Sequence, residues 1–134
     1  MSEAALTGGC LCGQVRYEAR GPVVNVRACH CRACQRAAAA PFFVRAVFPT
    51  GAVSWSGDTL VYRSSVRLNR VSCAICGSLV FGAPIDRPQF IGVAVASLDD
   101  PDALTPDMHI WTSSKQAWLR LDDGLPQHAE GVPW

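Results

Sequence analysis

Lysine is nearly missing from this chain: of its twelve basic residues only Lys115 is a lysine, and the rest are arginines. Eleven acidic residues leave a net charge of +1. No block of like charge stands out, which argues against a broad nucleic-acid or membrane-binding surface, since either needs concentrated positive charge. Long apolar runs are absent too; the best, residues 90–98, falls far short of a bilayer span. Residues 1–9 contain no basic segment followed by an apolar stretch, so no signal peptide is expected. Low-complexity segments, internal repeats and linkers are also lacking. The chain of 134 residues is therefore expected to form one domain, residues 1–134, cytoplasmic, without nucleic-acid or membrane partners.

Helix-forming runs are scarce. Only residues 32–40, with Ala33, Gln35, Ala37, Ala38 and Ala39, read as a helix, and Pro41 ends it. Strand signals dominate instead. Val15 and Tyr17 alternate with Arg16 and Glu18, and Gly21-Pro22 breaks that strand. Further extended segments are expected at residues 23–29, 42–48, 53–56, 60–63, 68–72, 77–81 and 90–95. Residues 97–107, rich in Asp and Pro, read as a loop or short helical turn, and residues 122–134 as a polar tail over the surface. The expected fold is mainly β, built of many short strands with one short helix after the second cysteine cluster.

What the chain does have is cysteine, seven of them in three tight clusters: Cys10-Leu11-Cys12-Gly13, Cys29-His30-Cys31-Arg32-Ala33-Cys34 and Cys73-Ala74-Ile75-Cys76-Gly77. In a reducing compartment such clusters are metal ligands or catalysts rather than disulfides. Cysteines two apart, such as Cys10 and Cys12, are also poorly placed to bridge each other. Each cluster has a metal-site rationale. A Cys-x-x-Cys turn brings two sulfurs to one side, and a following glycine lets a backbone N–H approach a thiolate. In Cys-x-Cys on an extended segment both side chains point to one face. Cys29, Cys31 and Cys34 combine the two devices.

Four thiolates close a tetrahedral zinc site, whereas three leave a position for water or substrate. Seven sulfurs divide as four plus three: Cys10, Cys12, Cys73 and Cys76 in a closed site, and the compact triplet in an open one. The rival division pairs Cys31/Cys34 with Cys73/Cys76 as a zinc ribbon and strands Cys10, Cys12 and Cys29. The triplet also admits a second structural zinc whose fourth ligand comes from elsewhere. His30, between two cysteines that share a face, is expected to point away and to be packed or hydrogen-bonded there. His109, near Trp111, is a candidate pocket residue or a partly buried structural histidine; His128 has no assigned role. Phe42, Phe43 and Trp55 are candidates to wall a pocket or to fill the core.

Taken in order, Gly9-Cys10-Leu11-Cys12-Gly13-Gln14-Val15-Arg16-Tyr17, Cys29-His30-Cys31-Arg32-Ala33-Cys34-Gln35-Arg36, Gly57-Asp58 and Arg70-Val71-Ser72-Cys73-Ala74-Ile75-Cys76-Gly77-Ser78 resemble the glutathione-dependent formaldehyde-activating family. The resemblance runs from about Gly8 to His109. It implies a zinc-bearing, mainly antiparallel β fold of the Mss4-like kind. It implies two zinc ions per chain: a structural one on Cys10, Cys12, Cys73 and Cys76, and a catalytic, labile one on Cys29, Cys31 and Cys34. The activity it implies is a carbon–sulfur lyase reaction, run as condensation of formaldehyde with glutathione to give S-hydroxymethylglutathione. Glutathione carries two carboxylates, which arginine forks suit. Arg32 and Arg36 beside the triplet, Arg70 before the second knuckle, and His109 are the candidate substrate-binding residues; the plain alternative is that each arginine is solvated. The rival function is a zinc-stabilised binding or scaffold module of Mss4-like fold without catalysis.

Overall fold

The structure is a computed structural model, which describes residues 5–133. Among these residues the strands are β1 (Leu6–Gly9), β2 (Arg16–Ala19), β3 (Asn25–Cys29), β4 (Phe43–Pro49), β5 (Val53–Ser56), β6 (Thr59–Arg63), β7 (Leu68–Cys73), β8 (Leu79–Pro84), β9 (Phe90–Ala94) and β10 (Met108–Ile110). One α-helix, α1 (Arg32–Ala38), lies between β3 and β4. The fold is mainly β, as the strand signals predicted. Residues 6–9 and 108–110 form strands that the sequence did not announce. They are short, and their pairing partners lie far away in the chain.

Three strands form a small sheet in the order β1-β2-β5; seven form a large one in the order β10-β3-β4-β9-β8-β7-β6. Every pairing is antiparallel except β10 with β3, which is parallel. Alternation decides the faces. In β2, Tyr17 and Ala19 turn inward while Arg16 and Glu18 turn to solvent. Tyr17 and Ala19 join Val26, Ala46, Phe48, Val71, Phe81, Ile91 and Val93 in the main core, between the small sheet and one face of the large one. Tyr17 packs edge-on against Phe81 and hydrogen-bonds Ser97 Oγ at 2.6 Å. Trp55, half-exposed, lies against Phe81 with ring centroids 4.7 Å apart at the margin of this core, and it lines a shallow surface pocket away from both cysteine clusters.

The opposite face of the large sheet carries the register pairs Arg27–Arg45 and Cys29–Phe43, with Ala94 beyond Arg45. A second, smaller core of Cys29, Cys34, Phe43, Ala94 and Ile110 forms there. The tail is more than a surface drape. Pro126 accepts a hydrogen bond from His109 N–H, the His128 N–H returns one to His109, and Glu130 accepts from Trp111. The tail's end reaches Arg27, whose guanidinium donates to the carbonyls of Val132 and Pro133 at 2.7 and 2.8 Å.

Candidate metal centres

The first cluster is built from two turns. Cys10 and Cys12 follow β1; Cys73 ends β7 and Cys76 lies in the turn after it. In each turn a glycine N–H closes back on the first cysteine's carbonyl, Gly13 to Cys10 at 3.1 Å and Gly77 to Cys73 at 3.0 Å. Both glycines sit at positive φ, +83° and +79°, where a side chain would be strained. Neighbouring sulfurs lie 3.6 Å (Cys10–Cys12) and 3.8 Å (Cys12–Cys73) apart, and all four fall within 4.8 Å of one another.

Donors converge on these sulfurs, as thiolates require. The N–H groups of Val15, Ile75 and Cys76 approach Cys10 or Cys73 at 3.3 to 3.4 Å, and Gln14 Nε2 reaches Cys73 at 3.1 Å. Gln14 also bonds both backbone groups of Asp58, at 2.7 and 2.9 Å, so it fastens the first turn to the start of β6. Ser78 donors pull the Cys76 thiol down to about 5. Backbone and side-chain donors of this kind tune a bound metal's ligands as well as orienting them.

The second cluster sits on the other face of the large sheet. Cys29 ends β3, Cys31 caps α1, and Cys34 lies in its first turn. The Cys31 sulfur accepts the Cys34 N–H at 3.3 Å, so one residue caps the helix and offers a ligand. The helix ends at Ala39, in left-handed conformation (φ 50°), just before Pro41. Cys29 and Cys34 are buried, Cys31 half-buried, and the three sulfurs lie within 4.8 Å of one another. Among the described residues no histidine or carboxylate joins either group, and the zinc-ribbon division is not the one the sulfurs adopt.

Two buried arginines reach the triplet. Arg70 Nη2 lies 3.6 Å and Arg45 Nη1 3.9 Å from Cys34 Sγ. Hydrogen bonds from Cys29 and Cys31 hold Cys34 far below the usual thiol range, and the guanidinium charges of Arg45 and Arg70 add to this. The same sulfur hydrogen bonds, together with burial, push Cys29 up. Three thiolates around a divalent cation leave one net negative charge. Two guanidinium groups are there to offset it.

Behind the triplet runs a chain of polar groups from exposed Asp123 to the buried His109 and His30. His109 Nε2 lies 2.7 Å from Asp123 Oδ2, and His109 Nδ1 lies 2.9 Å from His30 Nε2. A carboxylate accepts only, so His109 Nε2–H donates to Asp123; in neutral His109 the Nδ1 lone pair then accepts from His30 Nε2–H. His30 is fully buried, stacked on Phe42 at 4.9 Å, and burial together with His109 and Lys115 pulls it down to about 4. It is therefore neutral at pH 7, and its ring packs against Phe42 and His109. Gln35 fastens the same loop, bonding the carbonyls of His30 and Ser114 at 2.7 and 2.9 Å.

The four sequence candidates for substrate binding lie apart. Arg70 is buried on Cys34, and His109 is buried between His30 and Asp123. Arg32 and Arg36 are exposed on the outer side of α1; Arg32 bonds Gln35 there. Arg45, Asp123 and Gln14 were not singled out. A signal for Arg45 did exist: an arginine inside the apolar strand Phe43-Val44-Arg45-Ala46-Val47 has no solvent to point at. Arg45, which reaches Cys34, also lines a cavity of about 620 Å³ together with Arg27, Arg67 and Arg87 and the acidic Asp86 and Glu130.

Residues 5–114 match the family described as glutathione-dependent formaldehyde-activating enzyme. The chain belongs to this family. A solved structure of a Rhodobacter sphaeroides protein superposes with a TM-score of 0.61 at 21% identity, covering 91% of this chain and 98% of that one. At that identity the likeness speaks for the fold alone. No helix among the described residues is long and apolar enough to cross a membrane.

Proposed function

We propose that the chain is a zinc-dependent carbon–sulfur lyase that joins glutathione to formaldehyde at the Cys29/Cys31/Cys34 centre. The observation that carries this reading is the contrast in donor sets: four sulfurs in one cluster, three in the other, with two guanidinium groups beside the three. Soft sulfur donors at this spacing fit zinc at both centres, one structural and one catalytic. Zinc on the triplet supplies Lewis acidity toward a thiol or a carbonyl oxygen.

The chain's own residues do the rest. Arg45 and Arg70 stabilise anionic sulfur at Cys34. Because both are buried, their field acts in a medium of low polarity, where it is worth more than at the surface. The Asp123–His109–His30 chain and Gln35 hold the Cys29-His30-Cys31 loop in place. The cavity lined by Arg27, Arg45, Arg67 and Arg87 also holds Asp86 and Glu130, and Asp86 pairs with Arg67. Its surplus of positive charge, with Arg87 the foremost candidate, would receive glutathione's carboxylates, where the sequence alone suggested Arg32 and Arg36. In the reaction the glutathione sulfur bonds to the formaldehyde carbon, the C=O π bond breaks, and the thiol proton ends on the oxygen. Seven reduced cysteines suit a cytoplasmic setting.

The test is calorimetry of zinc-loaded protein with glutathione, followed by carbon-13 formaldehyde and detection of S-hydroxymethylglutathione by NMR. Saturable binding and product formed faster than in buffer are expected. Heat no greater than that of dilution at millimolar glutathione would overturn the reading and leave the scaffold role.

A further inference from the structure

The two ends of the seven-stranded sheet are finished differently. At β10 the tail covers the edge: Gln127 bridges His109, and residues 126–130 exchange backbone hydrogen bonds with residues 109–113. At the other end β6 is the terminal strand, with β7 on its inner side. Its Leu60, Val61 and Tyr62 are 63%, 56% and 68% exposed, so both faces are bare as well as the edge. The strand Thr59-Leu60-Val61-Tyr62-Arg63 has no proline, lysine or acidic residue, and its register with β7 is unbroken. Sheets normally blunt a free edge with devices of that kind; here the strand's shortness and the arginine at its end, Arg63, are the ones present.

The pairing with β7 fixes which backbone groups face outward. Ala74 N–H donates to Asp58 O, and Ser64 N–H donates to Leu68 O, both at 3.0 Å. Even-numbered residues of this stretch therefore aim their N–H and C=O at β7, and Thr59, Val61 and Arg63 aim theirs away from it. A twofold axis perpendicular to the sheet through Val61 satisfies all three at once. It sets Val61 opposite Val61, Thr59 opposite Arg63, and Leu60 opposite Tyr62 of a second copy. Leu60 then packs across the tyrosine ring on one face, and the two valines meet on the other. No like charges face each other, since Arg63 meets Thr59 and Asp58 meets Ser64. Cross-strand pairs of these kinds are the favourable ones.

We propose that β6 is a self-association edge, joining two copies of this chain antiparallel about Val61 into one continuous sheet. The strand is short, so the contact falls near or below the roughly 1,000 Å² expected of a lasting interface. The dimer is reversible, forming in the micromolar range. It also lies one strand from Arg70, which faces Tyr62 in the β6–β7 register and reaches the triplet.

Sedimentation velocity of the full zinc-loaded chain, from low micromolar to submillimolar, tests this. The mass is expected to rise from 14.4 kDa toward twice that value. Val61→Pro removes an outward N–H that the protomer does not use, a change edge strands tolerate; it is expected to stay monomeric with unchanged circular dichroism. Should that variant misfold, Leu60→Lys with Tyr62→Lys decides the same point through the side chains. Under mild oxidation Val61→Cys is expected to yield a covalent dimer, while Val66→Cys, exposed in the β6–β7 turn, does not. A wild-type chain that stays monomeric throughout, or a dimer that survives these edge variants, would overturn the proposal.

Discussion

The two cysteine clusters share a ligand chemistry and differ in almost everything around it. The four-sulfur cluster joins two turns at the rim of the sheets, and its donors are mostly backbone N–H groups supplied by the turns themselves. The triplet lies at the end of a central strand, and its positive partners are side chains from β4 and β7. A site whose donors are local is complete once its turns form. A site whose charge balance comes from distant strands is complete only when the whole sheet is in register. The first arrangement suits a staple, the second a centre whose electrostatics can be adjusted for chemistry.

The largest expected effect breaks the comparison directly. Cys73→Ser should release the metal that ties the β1 turn to β7, and with it most of the folding cooperativity; structural zinc carries folding free energy on the order of 10 kcal/mol. Cys31→Ser should instead remove only the labile metal. Metal content by mass spectrometry together with thermal unfolding separates the two, starting from about two zinc ions per chain. If Cys31→Ser unfolds the protein as thoroughly as Cys73→Ser, both clusters are staples and the catalytic reading fails.

Next comes the charge balance. Arg70→Met and Arg45→Met should lower activity and weaken metal binding at the triplet by about 10- to 100-fold, as loss of an outer-shell partner does. The four-sulfur site should be untouched. Competition with a coloured chelator reads this as a change in the fast phase of zinc release only. A smaller effect is expected from Asp123→Asn, which removes the charged acceptor at the end of the histidine chain. It should lower the midpoint of chemical denaturation slightly and speed the same fast phase. Loss from the slow phase instead would mean that the chain supports the fold at large.

The smallest effect lies at the rim. Asp99 is held down to about 2 by Arg16, with a further hydrogen bond from Thr7. Because its folded value lies below the ordinary 3.8, the stability it contributes is present above that pH and is lost as pH falls toward about 2. Asp99→Asn should therefore flatten the acid limb of the stability profile while changing little at pH 7. An unchanged limb would show that this exposed pair is too well screened to matter.

Much of this was legible in the sequence because it is local. The Cys-x-x-Cys-Gly turn, the alternation in Arg16-Tyr17-Glu18-Ala19 and the alanine-rich helix before Pro41 all depend on residues within a few positions of one another. The strands at residues 6–9 and 108–110 were not legible, since three or four residues carry too little pattern and gain their pairing from β2 and β3. The tail lies exposed along the surface, as its polar, Pro/Gly-containing composition predicts, but that composition hides its backbone hydrogen bonds to β10 and the turn after it.

By itself the sequence determined that the cysteines would fall into groups, because spacing and turn geometry bring each pair or triplet of sulfurs to one side. Only the tertiary structure decided what surrounds them. Arg45 and Arg70 meet at Cys34 across β4 and β7, and Asp123 reaches His30 through His109; these neighbours are set by sheet register and by the path of the tail. Such contacts join residues tens of positions apart, and no local pattern encodes them.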